Sequence, residues 1–220
     1  MSRKENIGNQ DEREKARTLS PAEKKRQEKF DSLSAELIQQ GYSRVDLTVS
    51  IVKANIFAVL LLIPLAVIGV GGYLLRNGSL ISSYRTGSFA LMLIVFLVFI
   101  VVHELIHGAS WALFTEHGFK DIEFGFMKQY MTPYCTCLVP LTKKQYIFGA
   151  LMPLIVLGIL PMALGILIGS LPLLLVGILM ADSAAGDIMI VWMILKYRSQ
   201  AREIVYMDHP TQAGGVIFER

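Results

Sequence analysis

Five consecutive residues, His103-Glu104-Leu105-Ile106-His107, carry the strongest chemical signal in this chain. In a helix, residues four apart share a face, so both imidazoles point the same way. Two histidines at this spacing suit zinc, and the carboxylate beside the first can take a proton from a water that zinc activates. As a bare pattern it also arises by chance in soluble proteins. Its surroundings make it specific. It lies in a long apolar run with no other charged residue. Ionisable groups are costly inside a membrane span, and their default reading there is functional.

A catalytic zinc has three protein ligands and an open position. The position six residues after His107 is Leu113, which cannot serve. His117 is ten residues on, too far along the helix. Two carboxylates remain in a later apolar run, Asp182 and Asp187. Helical rise places His107 about 10 Å and His103 about 16 Å from Phe114. It places Asp187 about 13 Å and Asp182 about 21 Å from Lys196. Depth therefore favours Asp187 as the third ligand and keeps Asp182 as second choice. Small residues beside each site, Gly108-Ala109-Ser110 and Ser183-Ala184-Ala185-Gly186, would let the two helices approach closely.

Other reactive groups carry less. Cys135 and Cys137 are one residue apart and read as reduced loop thiols, since two ligands alone make a poor structural metal site. Tyr130 and Tyr134 are candidate oxyanion donors. His209, in a polar tail, reads as a surface histidine.

The elements that must position these groups follow from hydropathy. The 220 residues are 53% hydrophobic with a mean hydropathy of +0.50, too apolar for an ordinary soluble domain. The net charge of +3 gives no case for nucleic acid. Charge is concentrated in the first 46 residues, with ten Lys/Arg and nine Asp/Glu. Four apolar spans are expected at about 51–75, 87–114, 146–168 and 171–195, each long enough to cross a bilayer. Residues 1 to about 18 read as disordered. Ser20-Pro21-Ala22-Glu23 reads as the capped start of a helix over about 20–40, with Phe30, Leu33, Leu37 and Ile38 as a weak apolar stripe. That helix is expected against the membrane surface, against the domain, or in solvent. Alternation in Ile122, Phe124 and Phe126, and in Tyr134, Thr136 and Leu138, points to a small β-hairpin.

Lys and Arg crowd the N-terminal arm, the 116–144 loop and the tail, while the other loops hold few. The positive-inside rule then places both termini in the cytoplasm of a multi-pass cell-membrane protein. No cleavable leader is apparent, so the first span is expected to be an uncleaved anchor. The chain divides into a polar arm (1–46), a membrane domain (47–200) and a tail (201–220).

His103-Glu104-Leu105-Ile106-His107-Gly108 in one membrane helix, with Gly186-Asp187 in a later one, resembles the site-2 protease type of intramembrane metalloprotease. The order here is Gly186-Asp187-Ile188, where that type usually has Leu-Asp-Gly. From Gly41-Tyr42 onward the chain is also similar to a bacterial family described as "putative zincin peptidases". The stretches Leu141-Thr142-Lys143-Lys144-Gln145-Tyr146 and Met207-Asp208-His209-Pro210 share in that likeness.

The resemblance implies an all-α membrane protein whose last three of four transmembrane helices form a site-2-protease-like core, with the hairpin in the cytoplasmic loop and the amphipathic helix at the N-terminus. It implies a zinc-dependent endopeptidase, with Glu104 catalytic and a peptide or membrane-protein substrate taken from the lipid bilayer or its surface. Two other classes remain open: a non-catalytic metal-binding membrane protein, and a small transporter using the His/Asp cluster as a relay. Nothing in the sequence fixes an oligomeric state.

Overall fold

A computed structural model describes residues 19–80, 87–127 and 132–220. The expected disorder of residues 1–18 and the candidate donor Tyr130 lie outside those residues.

The described chain is mostly helical. Helix α1 (Pro21–Gln39) starts as its sequence dictates. The Ser20 hydroxyl accepts from the Glu23 amide, and the Glu23 carboxylate accepts from the Ser20 amide. Strand β1 (Ser43–Thr48) leads into α2 (Ile51–Asn77), then α3 (Gly87–Ala112). A hairpin of β2 (Ile122–Met127) and β3 (Thr132–Cys137) follows, paired antiparallel with Phe124 opposite Cys135. Helix α4 (Lys143–Pro153) runs through a π-helical turn (Leu154–Ile159) into α5 (Leu160–Ile168). The turn lies between Pro153 and Pro161, neither of which can donate to the helical ladder. Helices α6 (Leu171–Ser183) and α7 (Ala185–Lys196) come next, then β4 (Ile204–Asp208) and β5 (Gly214–Glu219).

Among the described residues, three helical stretches are long and apolar enough to cross a membrane: Ile51–Asn77, Ala90–Ala112 and Lys143–Ile168. The α6–α7 pair makes a fourth if counted as one span. The sequence suggests one straight span there, but the two helices meet at 46°. Ser183, whose hydroxyl donates to the Met180 carbonyl, and the small residues after it mark the bend. Leucine, isoleucine and valine stay exposed along α2, α3 and α5, as lipid-facing helices require.

Span three and α6 touch backbone to backbone. A Cβ on Gly165 would lie 2.8 Å from the Leu174 Cα, and one on Gly158 equally close to the Ala181 Cα. Small residues at such contacts are what membrane helix packing demands.

The fold is not purely helical. The sequence reading found the hairpin but not the second sheet, of order β1-β5-β4. In it β5 is central, with Val45 and Tyr206 both paired to Ile217. Both faces are covered. Met207, Val216 and Phe218 meet Phe30 of α1, with Leu33 and Leu37 packed beside them, so most of that helix's weak stripe is its contact with the sheet, while Ile38 stays exposed. Tyr206 and Ile217, on the other face, join a core with Trp111, Leu141, Tyr146, Val191 and Ile194. The tail is thereby packed onto the helices that carry His103, His107 and Asp187.

Candidate metal centre

Helix α3 presents His103 and His107 on one buried face, 7% and 4% exposed. Their rings meet edge to face with centroids 4.8 Å apart. The bend at Ala184 restarts the helix so that Asp187 falls in the first turn of α7, where a carboxylate suits the helix dipole. His103 Nε2 lies 3.2 Å from Asp187 Oδ2, and His107 Nε2 lies 3.5 Å from Asp187 Oδ1. One ligand atom from each of the three lies within 4.8 Å of the others, the dimension of a metal-binding group. Asp182 stands outside this group, with its Oδ1 buried and without a hydrogen-bond partner among the described residues.

The donor set fits zinc on chemical grounds. A half-buried carboxylate set between two buried imidazoles is best balanced by a cation or proton. The His107 Nδ1 lies 2.9 Å from the Gly149 carbonyl. A carbonyl only accepts, so Nδ1 carries the proton and Nε2 keeps its lone pair for the group. The acceptor is held by close packing. A Cβ on Gly149 would run into the Trp111 indole, whose ring stacks on His107 at 5.2 Å. The indole N–H in turn donates to the Tyr146 carbonyl at 3.2 Å.

Glu104 lines the same cleft, of about 260 Å³, as His103, His107 and Asp187. The hairpin roofs it. Phe124 packs on Gly108, where a Cβ would meet the ring, and the Cys135 backbone amide hydrogen-bonds the Glu104 carboxylate. Tyr134 and Cys135 also line the cleft.

Several lining residues escaped the sequence reading. Arg26 of α1 is buried, donates through Nε to the Pro210 carbonyl, stacks on Tyr134 and lies 3.6 Å from Glu123. Asp208 accepts from the Tyr146 hydroxyl at 2.6 Å and from the Cys137 amide at 2.9 Å. Burial pushes its carboxyl above the usual range, against the pull of those two donors. His209 is half-buried at the cleft rather than free on the surface, and its Nδ1 accepts from the Thr211 and Gln212 amides. Burial pushes its pKa down. The available signal was the β-prone run Ile204–Met207 followed by Gly214-Gly215-Val216-Ile217-Phe218. His117 is exposed and pairs locally with Asp121.

These features define a helical protein with membrane-length spans, built round a two-histidine, one-aspartate group with a glutamate alongside. Residues 95–202 match the family described as "Putative zincin peptidase", and that segment of the chain belongs to it. The matched segment contains His103, Glu104, His107 and Asp187. No curated protein and no solved structure matches the chain.

Proposed function

We propose that this protein is a zinc-dependent endopeptidase that cuts peptide bonds within or beside the membrane. The observation that carries this reading is the convergence of His103, His107 and Asp187 in the cleft that also holds Glu104. His103, His107 and Asp187 would hold the zinc. Zinc bound there supplies a Lewis acid that acidifies water and polarises a carbonyl. Glu104 takes the proton of the attacking water and returns it to the leaving amine nitrogen. His107 is kept in the required tautomer by Gly149. The hairpin roofs the cleft, and its Tyr134 and Cys135 line the space that an extended substrate would cross.

The crowding of Lys and Arg in the arm, the 116–144 loop and the tail supports both termini being cytoplasmic, with four spans and water reaching the site from that side. The substrate is then a membrane-embedded or membrane-proximal segment of another protein. A structural zinc site has no use for a carboxylate placed like Glu104, which favours catalysis over simple metal storage.

Metal analysis of the purified chain tests the ligand set. The unmodified protein and Asp182→Ala are expected to hold about one zinc per chain, and Asp187→Ala at least about tenfold less at the same free zinc. Zinc retained by Asp187→Ala but lost from Asp182→Ala would reverse the assignment.

A further inference from the structure

In a strand, amides two residues apart leave the same edge. The Cys135 and Cys137 amides therefore both leave β3 on one side. The Cys137 amide goes to Asp208 Oδ2, so that side faces away from β2 and toward the cleft. The Cys135 amide goes to Glu104. Just beyond, the chain is tied to β4 by a reciprocal pair of backbone bonds between Leu141 and Tyr206, at 2.9 and 2.8 Å. The other Asp208 oxygen accepts from Tyr146, a buried residue of α4. One carboxylate thus joins the roofing strand, a membrane helix and the C-terminal sheet, and it lines the cleft. It lies beyond the matched family segment, which ends at residue 202.

We infer that Asp208 is a positioning residue of the proteolytic site: through the Cys137 amide it sets the height and register of β3 above Glu104, and so which bond of an extended substrate meets the metal centre. This rests on the endopeptidase reading. The pairing of β2 with β3 joins the strands to each other, and Phe124 seated on Gly108 holds the β2 side to α3. Asp208 fixes the opposite edge next to the point where Cys135 meets Glu104. Both its oxygens are used, each by a donor from a different element, so its removal leaves two donors unmet in a protected place. Asparagine can preserve both links. Its carbonyl oxygen can accept from Cys137, and its amide can donate to the Tyr146 hydroxyl, which also accepts.

The test uses the full chain, unmodified and as Asp208→Ala and Asp208→Asn, in detergent or lipid discs. Three quantities are measured: amide hydrogen exchange over residues 132–138, bound zinc, and cleavage kinetics on a peptide cut by the unmodified chain, with the cut position mapped by mass spectrometry. For Asp208→Ala we expect exchange over 132–138 to rise about tenfold and zinc content to stay level. We expect KM to rise about tenfold with kcat within about threefold, and cuts to spread to neighbouring bonds. Asp208→Asn should return all of these to within about threefold of the unmodified chain. Unchanged exchange and an unchanged cut position in Asp208→Ala would overturn the proposal. So would a loss of zinc, or a fall in kcat that Asp208→Asn fails to rescue. Should the unmodified chain cut no peptide, the protease reading fails by itself, while the exchange result still decides whether Asp208 holds the strand.

Discussion

His107 has two ring nitrogens with separate duties, and the packing around it shows how tightly one residue's role depends on its neighbours. Nδ1–H is spent on Gly149, which leaves Nε2 for the metal group. A Cβ at residue 149 would strike the Trp111 indole and move that carbonyl. Gly149→Ala is therefore expected to weaken zinc binding about 10- to 100-fold, measured by chelator competition. Unchanged affinity would mean that the carbonyl does not orient the ring. The thiols behave differently. Burial pushes Cys137 up to about 12 and Cys135 well above the usual thiol range. Both are free. The thiolate fraction of Cys137 at neutral pH, and hence its alkylation by iodoacetamide, should be about a thousandfold below that of an exposed cysteine, and Cys135 should react no faster. At this scale the sequence was informative where chemistry is local. The histidine pair and Glu104 occupy one helical turn, and Asp187 could be chosen by depth alone. Asp208, Tyr146 and Arg26 could not be found that way, because they meet only after distant segments have packed.

At the scale of elements, the bend between α6 and α7 and the glycine contacts of span three do most to shape the site. Apolar periodicity reveals a span but not a 46° bend in it, so the small residues 183–186 were read as a close-packing surface when they also mark a break. The glycines of α5 and α6 were legible only as members of apolar runs. In the structure a Cβ on Gly177 would lie 2.7 Å from the Met162 Cα and 2.9 Å from the Gly158 carbonyl oxygen. Backbone cannot retreat as a side chain can. Gly177→Leu should destabilise the folded protein by about 3 kcal/mol or more, read as a lowered unfolding midpoint in detergent. A midpoint equal to that of the unmodified chain would show that these helices are free to separate.

At the scale of the whole molecule, residues 21–48 and the C-terminal strands form one structure. Strand β5 pairs with β1 across most of the sequence, and α1 covers the outer face of that sheet. Pairing between strands so far apart leaves no periodic mark that joins them, so the arm and the tail each read as separate polar extensions. Removing residues 203–220 should strip Phe30 and β1 of their partners. It is expected to make α1 and β1 readily cut by added protease while the spans stay protected, visible as a shortened band on a gel. Continued protection of α1 and β1 would contradict the sheet's role. The Lys/Arg distribution predicts that single cysteines placed at Ser32, which is exposed, and Ser199 are both labelled from the cytoplasmic side in sealed, oriented vesicles.

The central claim is that Glu104 performs proton transfer at a zinc centre held by other residues. The most direct measurement compares the unmodified chain with Glu104→Gln for bound zinc and for cleavage of membrane-protein substrates. The account predicts about one zinc per chain in both, with cleavage by the variant reduced at least about 100-fold. Equal cleavage by the two would contradict the role of Glu104, and a zinc-free unmodified protein would contradict the site itself.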